Sequence, residues 1–168
     1  MFLMRVLGID PGFGRVGIAI LEKNGPAEIL LYSECFSTEA GLGFPERLKA
    51  VGQKISEVVK KFKPQVAAIE QIFFNTNAKT ALNVAEARGV IVYEILSRGI
   101  EVFEYTPLQV KMAITSFGHA NKRQIIEMLK MLLVLPPKKY LDDEYDAIAV
   151  ALTFLASSKM EKVRHLAK

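Results

Sequence analysis

The chain has 168 residues, 51% hydrophobic and 24% charged, and its 22 Lys+Arg against 18 Asp+Glu leave a formal net charge of +4. That apolar content excludes a disordered chain, and a chain of this size buries roughly 68–70% of its unfolded surface, enough for the core of one domain. Cys35 is the lone cysteine, which excludes a disulfide scaffold; with no signal-peptide pattern at the start, it points to a reducing, cytoplasmic setting. No apolar run reaches the ~18 residues of a membrane span, and Met4 offers a second possible start.

Met4–Ile9 is a short run of strand formers closed by Asp10-Pro11-Gly12, a sharp turn. Val16–Glu22 and Ala27–Phe36 predict two further strands, joined by the turn residues Asn24-Gly25-Pro26. Three strands with short links imply an antiparallel meander. From Phe44 to Phe62 the apolar residues Leu48, Val51, Ile55, Val58, Val59 and Phe62 form a helical stripe, stopped by Pro64. Gln65–Ile69 predicts a buried strand ending at Glu70. Ala78–Leu96 predicts a long helix closed by Gly99, and Ile100–Tyr105 a fifth strand. Helical patterns fill Leu108–Phe117, Asn121–Leu133 and Leu141–Met160. Strands that alternate with helices pair in parallel through right-handed crossovers. The expected fold class is α/β: a mixed five-stranded sheet, a three-strand antiparallel meander plus two parallel strands, flanked by helices.

Charge is unevenly placed. Residues 1–104 are neutral overall, whereas 105–139 hold Lys111, Lys122, Arg123, Lys130, Lys138 and Lys139 against Glu127 alone. Directly after comes an acidic knot of Asp142, Asp143, Glu144 and Asp146. A basic stretch suits a polyanion, and an acidic knot suits a hard divalent cation. Two more acids end buried strands, Asp10 on the first and Glu70 on the fourth, and a carboxylate there needs a partner. Carboxyl ends of neighbouring strands form the crevice in which α/β sheets bind ligands. Asp143 and Asp146, at i and i+3, share one helical face. Several ionised carboxylates together repel and raise one another's pKa, a cost that Mg²⁺ removes. Two such ions ~3.5–4 Å apart can hold the attacking water and the leaving oxygen of a phosphodiester. Helix capping explains Asp142, Asp143 and Glu144 about equally well, and Asp10 before Pro-Gly is also an ordinary turn residue. Glu70 is harder to explain without a ligand.

The ordered set Val6-Leu7-Gly8-Ile9-Asp10-Pro11-Gly12, Ala68-Ile69-Glu70-Gln71 with Phe73, Ala87-Arg88-Gly89, Glu104-Tyr105, Val110-Lys111, Gly118, Ala120, Lys122, Gln124 and Asp143 to Asp146 before Ala147-Ile148-Ala149 resembles the RuvC family of Holliday junction resolvases. The likeness runs from Met4 to about Phe154. It implies a ribonuclease-H-like nuclease domain over 1–168, with Met1–Leu3 and the last several residues peripheral. The resemblance also implies a homodimer that binds four-way DNA junctions and makes paired Mg²⁺-dependent nicks (Mn²⁺ a possible substitute), giving 5′-phosphate and 3′-hydroxyl ends in recombination and repair, beside a branch-migration helicase complex. By the same resemblance Asp10, Glu70, Asp143 and Asp146 are the catalytic, metal-holding acids. The family's aromatic that stacks on an unpaired base maps onto Phe73, with core packing the other reading of Phe73 and Phe74, and Lys111, Lys122 and Arg123 contact DNA. Small residues in Ala78–Leu96 pack helices within the domain or form the dimer. Ser116 stands where many members have Gly, and His119 follows in a loop. Rival readings are a resolvase-like nuclease acting on ribosomal RNA, a non-catalytic junction-binding protein and an actin-like ATPase, which needs far more chain.

Overall fold

The computed structural model describes residues 3–72 and 78–157. Five strands, β1 (Leu3–Asp10), β2 (Arg15–Asn24), β3 (Ala27–Ser37), β4 (Val66–Glu70) and β5 (Glu101–Tyr105), form one sheet in the order β3-β2-β1-β4-β5. β1–β2 and β2–β3 pair antiparallel, whereas β1–β4 and β4–β5 pair in parallel. This is the mixed sheet expected from the sequence. Five helices complete the fold: α1 (Phe44–Phe62), α2 (Ala78–Leu96), α3 (Pro107–Thr115), α4 (Lys122–Leu132) and α5 (Asp142–Leu155). Among the described residues no helix is long and apolar enough to cross a membrane. Phe73 and Phe74 lie outside the described residues.

Strand alternation divides the interior in two. Leu7, Ile9, Ile18, Ile20, Ala67 and Ile69 pack toward α1 and α2 with Val51, Ile55, Ile91 and Ile95. Val6, Ala19, Leu21, Val66 and Ala68 pack on the other side against α5, including Ala147, Ile148, Ala151 and Phe154. Every residue of α5 from Glu144 to Leu155 except Asp146 is buried. The continuous apolar run Ile148–Leu152 thus marks a central helix rather than an amphipathic surface one.

α5 lies on the sheet with almost no side chain between. A Cβ added at Gly8 would collide with the Ala147 carbonyl oxygen and sit 2.7 Å from the Ala151 Cβ. One added at Gly17 would collide with the Asp143 carbonyl oxygen and stand 3.1 Å from the Asp10 Cβ. Two strand glycines, on adjacent strands, therefore admit the first two turns of α5.

α5 ends at Leu155, and the expected end at Met160 lies outside the described residues; just past the helix, the Ser157 hydroxyl donates to the Phe154 carbonyl at 2.8 Å and lies 3.2 Å from the Tyr105 hydroxyl. Side chains reinforce the starts of the two helices that flank the functional end of the sheet. Thr106 and Gln109 cap α3 reciprocally, and Asn121 and Gln124 cap α4 in the same way. Between them Ser116 closes α3 in the left-handed region at φ 58, where a Cβ is disfavoured. Ser116→Gly should therefore raise stability by about 0.5–1 kcal/mol, whereas Gly8→Ala should lower it by about 1–3 kcal/mol through overpacking against α5. Urea denaturation of the two variants beside the wild type measures both.

Candidate functional site

β1 and β4 run in parallel as neighbours, with Ile9 paired to Ile69, so their last residues, Asp10 and Glu70, emerge side by side. Both fall on the α5 face, because they continue the alternations Val6-Gly8-Asp10 and Val66-Ala68-Glu70. The first turns of α5 deliver Asp143 and Asp146 to the same place, since Gly17 brings the Asp143 backbone against the Asp10 side chain. A cleft of about 260 Å³ opens here, with Glu70, Asp146, Lys111 and Lys122 on its walls and Val110 and Ala149 among its apolar lining.

Burial, followed by the charges of Asp146, Glu70 and Asp143, pushes the Asp10 carboxyl up to about 8. Burial and then Asp146 push Glu70 up to about 7. Asp146 is also raised, first by burial, although Lys122 opposes the shift. The Lys122 Nζ donates to Asp146 Oδ2 at 2.8 Å and stands 3.4 Å from Asp142 Oδ2. Burial disfavours the Lys122 ammonium, but its hydrogen bond and ion pair with Asp146 prevail and its pKa rises. Asp143 has other company. Its Oδ2 accepts from the Cys35 Sγ at 3.6 Å and lies 3.4 Å from an Arg15 guanidinium nitrogen. Burial and then Asp143 raise the Cys35 thiol pKa.

The acidic knot divides into separate duties. Glu144 is buried and turns inward, accepting from the Ser33 hydroxyl at 2.8 Å and the Leu141 amide at 3.0 Å, and pairing with Lys138. Burial alone would raise its pKa, but Lys138, the Leu141 amide and Ser33 hold it below the usual range. Glu144 and Lys138 thus fasten the start of α5 to β3. Arg123 is not among the residues that line the cleft; on the exposed face of α4 its Nε donates to Glu127 at 2.8 Å. Lys111 lines the cleft itself.

Among the described residues no three His, Cys, Asp or Glu side chains stand gathered in metal-ready geometry. The donor chemistry nonetheless fits a divalent cation. Oxygen donors are what Mg²⁺ prefers. Three carboxyls have raised pKa values, and Lys122 supplies positive charge on Asp146. Asp10, Glu70, Asp143 and Asp146 are the residues that would hold such an ion.

Residues 6–154 match the family model for crossover junction endodeoxyribonuclease RuvC. The chain belongs to the RuvC family. It is 39% identical to the RuvC of Finegoldia magna over 97% of this chain and 99% of that protein. It is 44% identical to the RuvC of Pelotomaculum thermopropionicum over 89% of this chain and 91% of that one. Among solved structures it resembles T. thermophilus RuvC in complex with Holliday junction substrate, at TM-score 0.87 and 31% identity, covering 94% of this chain and 96% of that one. The RuvC match also carries the expected ribonuclease-H-like sheet order. Membership sets aside the ribosomal-RNA and actin-like rivals. Two neighbours of the carboxylates in this RuvC chain, Arg15 and Cys35, escaped the sequence reading. The pairing Gly17↔Cys35 and the two-residue step from Arg15 to Gly17 place both on the Asp10 face, a signal that appears only once the strand register is known.

Asp10 holds its proton in the folded chain up to about pH 8, whereas in the unfolded chain it loses it near 4. Its folded pKa is the higher, so the contribution of Asp10 to folding stability without metal is fully present below pH 4 and is lost as pH rises toward 8. Asp10→Asn removes that loss. In EDTA at pH 9 the variant should exceed the wild type by about 2–5 kcal/mol, with little difference at pH 4. Melting curves across pH measure the gap, and equal stabilities at pH 9 would disprove the raised Asp10 pKa.

Proposed function

We propose that the chain resolves four-way DNA junctions by paired phosphodiester hydrolysis, with Asp10, Glu70, Asp143 and Asp146 as its catalytic acids. The observation that carries this reading is that Asp10 and Glu70, at adjacent strand ends, lie beside the first turns of α5 next to a cleft that Glu70 and Asp146 line with Lys111 and Lys122, in a chain of the RuvC family. These four acids would hold divalent cations, two Mg²⁺ ions or Mn²⁺ in their place, whose chemistry there would be activation of water and neutralisation of the leaving 3′ oxygen.

The chain's own residues do the rest. Asp10 sits deepest, beside both Glu70 and the Asp143 backbone, and must be ionised to act as a ligand. Its raised pKa makes ligation proton-linked. Asp146 holds Lys122 in the resting site. When the carboxylate is otherwise engaged, the Lys122 ammonium is free to turn to a substrate phosphate and neutralise charge as the bond breaks. Lys111, on the cleft wall, meets the DNA backbone as a point charge. Phe73 would stack on an unpaired base, a contact worth ~1–3 kcal/mol, and Arg123, on the exposed face of α4, would reach a more distant phosphate. Hydrolysis leaves 5′-phosphate and 3′-hydroxyl ends. Cutting two strands of like polarity calls for a two-fold homodimer, acting beside a branch-migration helicase complex.

A synthetic immobile four-way junction, incubated with and without Mg²⁺, should be nicked in a symmetric pair of strands only when the metal is present. Asp10→Asn should bind the junction but lose cleavage by about 100-fold or more, exceeding the loss typical of residues that only orient a metal ligand. Nicking by that variant at the wild-type rate would refute the carboxylate assignment. Lys111→Ala should instead weaken junction binding and make its salt dependence shallower by about one unit of log–log slope.

A further inference from the structure

We infer that Arg15 is a backbone-phosphate-binding residue of the cleavage site that shares Asp143 with the metal. The inference rests on the junction-nuclease reading above and names a contact which that reading does not use.

Three features place Arg15. First, its root is fixed. Arg15 opens β2 opposite Ser37 of β3, and the turn before it is tied down by Thr38, whose amide donates to the Gly14 carbonyl at 3.0 Å and whose hydroxyl donates to the Phe13 carbonyl at 3.0 Å. Gly12 lies so close to the Arg15 carbonyl that an added Cβ would collide with it. Second, its direction is set by strand alternation. Arg15 shares a face with Gly17, the residue against which the Asp10 side chain and the Asp143 backbone meet. Third, its end is accessible. The guanidinium lies 3.4 Å from Asp143 Oδ2, with 61% of the Arg15 side chain exposed and only 17% of the Asp143 side chain. An ion pair that open to water is weakly held, so the guanidinium can leave its carboxylate.

Topology supplies the role. β2 and β4 flank β1 on opposite sides. Lys111 and Lys122 line the cleft on the β4 side with Glu70, whereas Arg15 comes from the β2 side. A phosphodiester seated over Asp10 would thus be gripped from both flanks. On the β2 flank the donor is a planar fork suited to two phosphate oxygens at once. While the site is empty of DNA, the same guanidinium occupies Asp143 Oδ2 together with the Cys35 thiol, and so competes with any cation for that oxygen.

The two halves of the inference are read without cleavage. Binding of the synthetic four-way junction to wild type, Arg15→Gln and Arg15→Lys is measured in EDTA over a range of salt, and Mn²⁺ binding to the DNA-free proteins is measured by calorimetry. Arg15→Gln should weaken junction binding several-fold and make the log–log salt slope shallower by about one, as for the loss of one phosphate contact. Arg15→Lys should restore the slope but only part of the affinity. Without DNA, Arg15→Gln should bind Mn²⁺ several-fold more tightly than the wild type. A wild-type salt slope in Arg15→Gln, or a wild-type Mn²⁺ affinity, overturns the inference. Should the wild type itself bind the junction no better than linear duplex, it is the junction-nuclease reading that fails.

Discussion

The site depends on how closely α5 is allowed to approach the sheet. Gly8 and Gly17, on neighbouring strands, leave no Cβ where the Ala147 and Asp143 carbonyls come to rest. That removes the side-chain layer that ordinarily separates helix from sheet. The helix then brings its acidic first turns to the ends of β1 and β4 rather than into solvent above them. A methyl group at either glycine would collide with those carbonyls and push the turns away from the sheet.

Such an approach has an electrostatic consequence that organises everything around it. Two unit charges ~4 Å apart at an effective dielectric of ~20 repel by about 4 kcal/mol, and a domain's net stability is about 5–15 kcal/mol. Four ionised carboxylates cannot crowd together on those terms. The molecule answers in three ways at once. Asp10 and Glu70 keep their protons to higher pH, Lys122 lies on Asp146, and Arg15 with the Cys35 thiol attends Asp143. Glu144 stands apart from this crowding. It faces β3 and is satisfied by Lys138, Ser33 and its own helix start, so it anchors the structure while its neighbours hold the unfavourable charge.

Much of this was legible in the amino-acid order. Short apolar runs ending in Asp10 and Glu70 announced two buried strands with acids at their tips, and the spacing of Asp143 and Asp146 announced one helical face carrying two more. The boundaries of α1 and α2 followed from their apolar stripes and from Pro64 and Gly99. What escaped has a physical reason in each case. Arg15 and Cys35 belong to the carboxylate cluster through cross-strand register, and period-two alternation says which residues share a face but not what lies across from them. The basic stretch from Lys111 to Lys139 looked like one patch because linear charge counts ignore direction. In three dimensions Lys138 faces Glu144, Arg123 lies along α4, and only Lys111 and Lys122 line the cleft.

Lys122 on Asp146 also gives the resting site a counter-ion that is part of the chain. A monovalent ion that displaces the ammonium exchanges one positive charge for another and must shed water to do so. It gains nothing electrostatically while competing with a group already tethered beside the carboxylate. A divalent ion would bring twice the charge to the same oxygen and so would compete with the tethered ammonium on better terms. A cation of single charge would thus meet, at Asp146, a positive group of equal charge that need not be recruited from solution.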